Sequence, residues 1–213
     1  MAKSSSNASQ SGMTTHRIEA LTDGIFAIAM TLLVLTIELP EMAKGVAQIG
    51  LHDLLIEQMH MLTSYAISFI VLAIFWIKHH QQFYFIKRTD GKHLWINIFT
   101  LMFIALIPFS TSLRGDYPDD WVSAIFFGSN LLILGMLSLL NWIYATQGHR
   151  LVDPNLDKQH IALNTRIGAV TPLVALLAMG VSIVSPQMSS YIYLLIPILI
   201  PVVQRRSRRT KGD

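Results

Sequence analysis

Six stretches of this chain are so long and so apolar that they decide most of what it can fold into. They fall at about residues 18–39, 60–78, 94–113, 121–145, 162–184 and 189–203. A bilayer core is crossed by about 20 consecutive apolar residues in a helix. The spacing therefore predicts an all-α membrane protein with six transmembrane helices per subunit. The last stretch is the shortest and contains Pro197 and Pro201, which predicts a kinked or partly re-entrant helix. Composition agrees: 52% of residues are hydrophobic and 14% charged, against about 25% charged in soluble domains. The chain has no cysteine, which excludes disulfides, thiolate metal sites and cysteine nucleophiles.

Charge on the connections orients the spans, because short cytoplasmic loops carry excess Lys and Arg. The first connection holds Glu38, Glu41, Asp53 and Glu57 against Lys44. The second holds Lys78, Lys87, Arg88 and Lys92 against Asp90. The third is acidic again, with Asp116, Asp119 and Asp120 against Arg114, and the fourth is mixed. Acidic and basic loops alternate, so both termini are expected in the cytoplasm. Residues 1–15, rich in Ser and Asn and without the apolar core of a secretory signal, read as a disordered cytoplasmic tail. Residues 204–213 form a basic cytoplasmic tail, in which Arg205, Arg206, Arg208, Arg209 and Lys211 follow an apolar span directly. Such a cluster is explained by anionic lipid and topology rather than by nucleic acid. The membrane domain then occupies 16–203. Gly128, Gly135, Gly168 and Gly180 are small residues that would let helices approach closely. Pro108 in the third span predicts a kink.

The first span carries an unusual load of charge at its start: Arg17, Glu19 and Asp23. Charges inside a bilayer are costly and generally mark functional or organising sites. Each residue of a helix advances about 100°, which places Leu21, Gly24, Thr31, Leu32 and Leu35 within about 60° of Ile28. They form one stripe. Arg17 falls near its line and Asp23 about 140° away. The stripe has two readings. It could face lipid or a helical neighbour, with Thr31 bonded to its own backbone; or it could face a symmetry axis and form an apolar constriction with one hydroxyl layer. Asp23, if buried, needs a partner. Trp76 and His80, four apart at the end of the second span, share a face and could supply one; Asn97 is a further candidate.

Adjacent His79 and His80 would suit a membrane metalloenzyme, but such centres need more imidazole or carboxylate ligands than this cluster offers. No nucleophile elbow or phosphate loop is present. No enzyme activity, cofactor or fixed metal site is therefore expected. The Thr-Val-Gly-Tyr-Gly loop of standard potassium filters is also absent.

Arg17, Leu21, Thr22 and Asp23 resemble the Arg-x-x-x-Phe-Ser-Asp signature that opens the first helix in the transmembrane protein 175 family, a lysosomal potassium channel and its prokaryotic relatives. The apolar continuation from Ala27 to Leu35, Trp76 with His79 and His80, and Asn97 with Pro108 and Phe109 are similar to the prokaryotic members. Leu21 replaces the usual Phe and Thr22 the usual Ser. The resemblance implies a homotetramer in the cell membrane, with potassium ions and the lipid bilayer as partners and a pore lined by the first helices. Carried over by position, Ile28, Thr31, Leu32 and Leu35 would form the constriction, with potassium passing transiently near Thr31. Arg17, Thr22 and Asp23 would form a polar network with Trp76, His80 and Asn97 that holds the first helix. Glu38 and Glu41 would sit at the outer mouth and concentrate cations. The expected function is a potassium-selective, leak-like channel. The alternative is a secondary or proton-coupled transporter in which Asp23 and a histidine titrate.

Overall fold

The computed structural model describes residues 15–37 and 58–209, with the isolated positions 52 and 56. The described elements are α1 (Thr15–Leu32), extended by a 3-10 turn over Leu33–Thr36, then α2 (Met59–Phe85), α3 (Gly91–Ala105), α4 (Ile107–Asp116), α5 (Trp121–Thr146), a short 3-10 turn (Gln147–His149), α6 (Lys158–Ser182), α7 (Pro186–Ile192) and α8 (Leu195–Arg209). Together they make six segments long and apolar enough to cross a membrane. Two of these are built from helix pairs, α3 with α4 and α7 with α8.

Both breaks have the same cause. Proline has no backbone N–H and its ring crowds the carbonyl four residues earlier. Pro108 stands in the first turn of α4, and the third span bends at Leu106, the residue between α3 and α4. In the last span the Tyr193 carbonyl has no Pro197 N–H to receive and accepts instead from the Ile196 N–H at 3.0 Å. The helix therefore stops at Ile192 and restarts at Leu195, with Pro197 in the new first turn. The break precedes Pro197, whereas Pro201 lies within continuous helix.

Several span ends differ from expectation. α2 runs for 27 residues to Phe85, so Lys78, His79 and His80 lie inside the helix rather than at its end. Phe83 and Phe85 supply the apolar cover that lets it continue: Phe83 is buried beneath α1, and Phe85 packs edge-on against Trp142. α8 continues to Arg209, past the expected end at 203. Thr15 is already helical, while residues 1–14 and 210–213 lie outside the described residues.

α5 and α6 form the most intimate pair, joined by the turn over 147–157. Positions 128, 135 and 139 of α5 face 179, 172 and 168 of α6, an antiparallel register. A Cβ at Gly135 would sit 2.9 Å from Pro172, one at Gly128 2.5 Å from Met179, and one at Gly168 2.7 Å from Leu139. At Gly135 a larger residue would meet the proline ring and its backbone nitrogen and push the helices apart, whereas at 128 and 168 the Met179 and Leu139 side chains would have to shift. Gly180 faces open space and has no such role.

Acidic residues on the connections cap the helices that follow them. Asp90 accepts from the His93 N–H at 2.9 Å and Asp120 from the Val122 N–H at 2.8 Å; Asp157 likewise accepts from Gln159. Each satisfies an orphan donor of a first turn. Tyr144 donates to the second Asp90 oxygen at 2.8 Å and accepts from Arg150. Burial works to raise the Asp90 carboxyl, but these hydrogen bonds and the charges of His93 and Arg150 prevail and hold it below its ordinary value.

At the other end of the bundle, Arg114 of α4 is buried and spends its guanidinium on four acceptors. These are Ser190 Oγ at 3.1 Å, the Tyr117 carbonyl at 3.2 Å, and the Pro118 and Pro186 carbonyls at 2.6 Å each. The loop after α4 is thereby tied to the start of α7.

Candidate functional site

α1 has two apolar faces of opposite fate. Ile18, Thr22, Phe26, Ala29 and Leu33 recur at helical spacing and are buried. Phe26, Ala29 and Leu33 join the main core with Val71, Phe75, Leu101 and Ile104. Ile18 belongs to a second cluster with Phe83, Ile86 and Leu151. The opposite face carries Leu21, Gly24, Ile28, Thr31, Leu32 and Leu35, and all are exposed. Ile28 keeps 59% of its surface and Leu35 67%, values that make this face a surface of the isolated subunit. Through the 3-10 turn, side chains three apart eclipse one another, so Leu32 and Leu35 stack along one line.

Thr31 donates its hydroxyl to the Ile28 carbonyl at 2.8 Å. The proton is used within the helix, and the oxygen lone pairs remain on the exposed face. A hydroxyl held this way acts there as an acceptor.

The polar network sits where α1, α2 and α3 meet. Asn97, buried in α3, bridges two helices: its Nδ2 donates to Thr22 Oγ1 at 3.4 Å, and its Oδ1 lies 2.9 Å from His79 Nε2. Because Oδ1 only accepts, the bond assigns the proton to His79 Nε2. His79 also stacks on Phe83 with centroids 4.3 Å apart. At the edge of the network, Trp76 donates its indole N–H to Asp23 Oδ1 at 2.9 Å.

Of the residues expected in this network, Thr22, Asp23, Trp76 and Asn97 are brought together, but two are not. His80 is exposed and stacks on Trp76 with centroids 6.2 Å apart; the buried imidazole is its neighbour, His79. The apolar companions of each histidine carried this signal, since Phe75, His79 and Phe83 share one face of α2 and Trp76 and His80 another. Arg17 is exposed at the start of α1 and has no polar partner among the described residues. Its position on the stripe side turns it away from Thr22 and Asn97. Glu38 and Glu41 lie outside the described residues. Among the described residues no group of three or more His, Asp or Glu side chains is placed to hold a metal ion.

Fold and site together define a multi-pass α-helical membrane protein of six spans, whose first helix is pinned on one side by a core and a polar network and open on the other. Comparison with known proteins gives its family. The model of the endosomal/lysosomal potassium channel TMEM175 family matches residues 17–108, from Arg17 to Pro108, which takes in the first two spans and α3 of the third. A potassium channel of Chamaesiphon minutus is 32% identical over 178 residues, covering 82% of this chain and 87% of that protein. A potassium channel of Streptomyces collinus is 33% identical over 145 residues, covering 66% of this chain and 69% of its own. The crystal structure of a lysosomal potassium-selective channel TMEM175 homolog from Chamaesiphon minutus superposes with a TM-score of 0.76 at 28% identity, covering 91% of this chain and 97% of that one. The chain belongs to the TMEM175 family, a family of channels and not of enzymes.

Proposed function

We propose that this protein is a potassium-selective, leak-like cation channel of the cell membrane, formed by a homotetramer in which the α1 helices surround the ion path. Both termini are cytoplasmic in this reading. Residues 16–203 form the channel, and the flanking 1–15 and 204–213 are cytoplasmic tails. The observation that carries the proposal is the division of α1: one face is buried in its own subunit, and the other, with Ile28, Thr31, Leu32 and Leu35, is left open. A surface of this kind at the start of a channel-family fold is suited to a symmetry axis. The potassium channels of Chamaesiphon minutus and Streptomyces collinus named above support the choice of ion.

The chemistry follows from the lining. Aliphatic rings offer an ion nothing to replace its water, so passage requires partial dehydration or transient wetting, and the more weakly hydrated potassium suffers less than sodium. The Thr31 oxygens, with their protons committed to Ile28, partly compensate at mid-pore. Ile28 or Leu35 then serves as the hydrophobic gate. Glu38 and Glu41 raise the cation concentration at the outer mouth. Thr22, Asp23, Trp76 and Asn97, with His79, hold α1 in place and take no part in conduction.

Reversal potentials of purified protein in liposomes under a potassium–sodium gradient test the reading. Potassium-selective flux that changes in Thr31→Ala and Leu35→Ala is expected. No cation flux, or unchanged conductance and selectivity in both variants, would overturn it.

A further inference from the structure

Lys78 is out of place. Lysines of a membrane helix normally extend toward water, yet this one, inside α2, is only 7% exposed, and its ammonium has no hydrogen-bond partner among the described residues. The ammonium lies over the face of Phe75, 5.7 Å from the ring centroid. A buried ammonium costs several kcal/mol unless an anion compensates it. Lys78 lines a cavity of about 210 Å³ between α2, α6 and α8, whose walls include Ile77, Pro197, Ile200 and Pro201, with Gln81 and Gln204 as its other polar groups. Gln81, Ile167 and Gln204 also line an adjoining cavity of about 470 Å³, which reaches Asn164 and His160 at the start of α6. Arg205 and Arg206, exposed, follow Gln204 immediately.

We propose that this cleft, at the end of the bundle that carries the start of α1 and the end of α8, binds one anionic phospholipid per subunit. The phosphate pairs with Lys78 and accepts hydrogen bonds from the Gln81 and Gln204 amides, while an acyl chain lies along Ile77, Ile200 and the two prolines. The apolar wall selects a lipid over a free anion. The buried ammonium selects an anionic headgroup over a zwitterionic one, and Arg205 and Arg206 add attraction at the rim. Pro197, just after the break between α7 and α8, forms part of its wall. The inference does not depend on ion conduction.

Native mass spectrometry of the full-length protein, titrated with phosphatidylglycerol and separately with phosphatidylcholine, tests it. The wild type retains one phosphatidylglycerol per subunit in preference to phosphatidylcholine. Lys78→Met weakens that retention by at least about fivefold, the scale of one basic group beside an anionic lipid. Ile200→Trp, which fills the cleft and leaves the charge in place, does the same; it decides the matter should Lys78→Met fail to fold. Retention unchanged in either folded variant would overturn the proposal. Displacement of the lipid by millimolar inorganic phosphate would show a free-anion site and overturn it. Equal loss from Arg205→Gln with Arg206→Gln alone would assign the attraction to the rim and overturn it as well.

Discussion

The indole of Trp76 donates to the carboxylate of Asp23 at 2.9 Å, joining residues 53 apart in sequence. The bond closes the open side of the junction between α1 and α2, and it gives a charge that looked like a reaction centre a structural partner. Trp76→Phe should lower stability by about 1 kcal/mol, the usual worth of one such bond, read as a lower thermal midpoint in detergent. Asp23→Asn preserves an acceptor and should retain ion flux. A proton-coupled transporter that titrates Asp23 requires the opposite, loss of flux in Asp23→Asn.

The two adjacent histidines should behave differently. His79→Ala strands Asn97 Oδ1 without its donor and opens space beside Phe83, which should cost about 1–3 kcal/mol. His80→Ala removes an exposed ring and should change stability by no more than about 0.5 kcal/mol. Chemical denaturation of both variants checks this, and equal losses would contradict the assignment of the buried role to His79.

Arg114 binds four acceptors across two connections. Arg114→Met leaves the Pro118 carbonyl without its donor, while the Tyr117 and Pro186 carbonyls keep bonds from Ser123 and Ser189, and should destabilise by about 1–3 kcal/mol. Arg114→Lys should recover little, because a single ammonium cannot reproduce the planar fork. A lysine variant as stable as wild type would show that charge rather than geometry matters here.

The Asp90 carboxyl, held below its ordinary value of 3.8, contributes stability fully present above that value. The contribution decays as pH falls through the lower, folded-state value, where the carboxylate protonates and its bonds to His93 and Tyr144 weaken. Asp90→Asn should therefore flatten the acid limb of the stability–pH curve and leave the neutral region parallel to wild type. Unfolding midpoints from about pH 2 to pH 6 would show it, and an unchanged acid limb would contradict the cap.

The spans were legible because a bilayer demands long apolar runs, and the bend at Pro108 because a missing N–H must be accommodated locally. Gly128, Gly135 and Gly168 could be read as contact residues, but Gly180 has the same chemistry and no neighbour, since sequence does not say which face meets a helix. The same ambiguity governs α1. Its buried Phe26 and its exposed Ile28 are equally apolar, so periodicity finds the stripe but not its exposure. The choice between His79 and His80 turned on a 100° rotation that their flanking aromatics encode. Arg17 lies on the stripe side of α1, as its spacing indicates, and that azimuth does not reach Thr22 or Asn97 of its own subunit.

The face of α1 that bears Leu35 is the centre of this account, and the absence of cysteine allows it to be probed one residue at a time. Leu35→Cys and Leu173→Cys place single thiols on positions of comparable exposure, 67% on α1 and 64% on α6. The decisive measurement is inhibition of potassium flux in liposomes by a charged, water-soluble thiol reagent. If α1 lines the ion path, the reagent blocks the Leu35→Cys channel and leaves Leu173→Cys conducting. Unaltered flux through a Leu35→Cys channel shown to be labelled would contradict it.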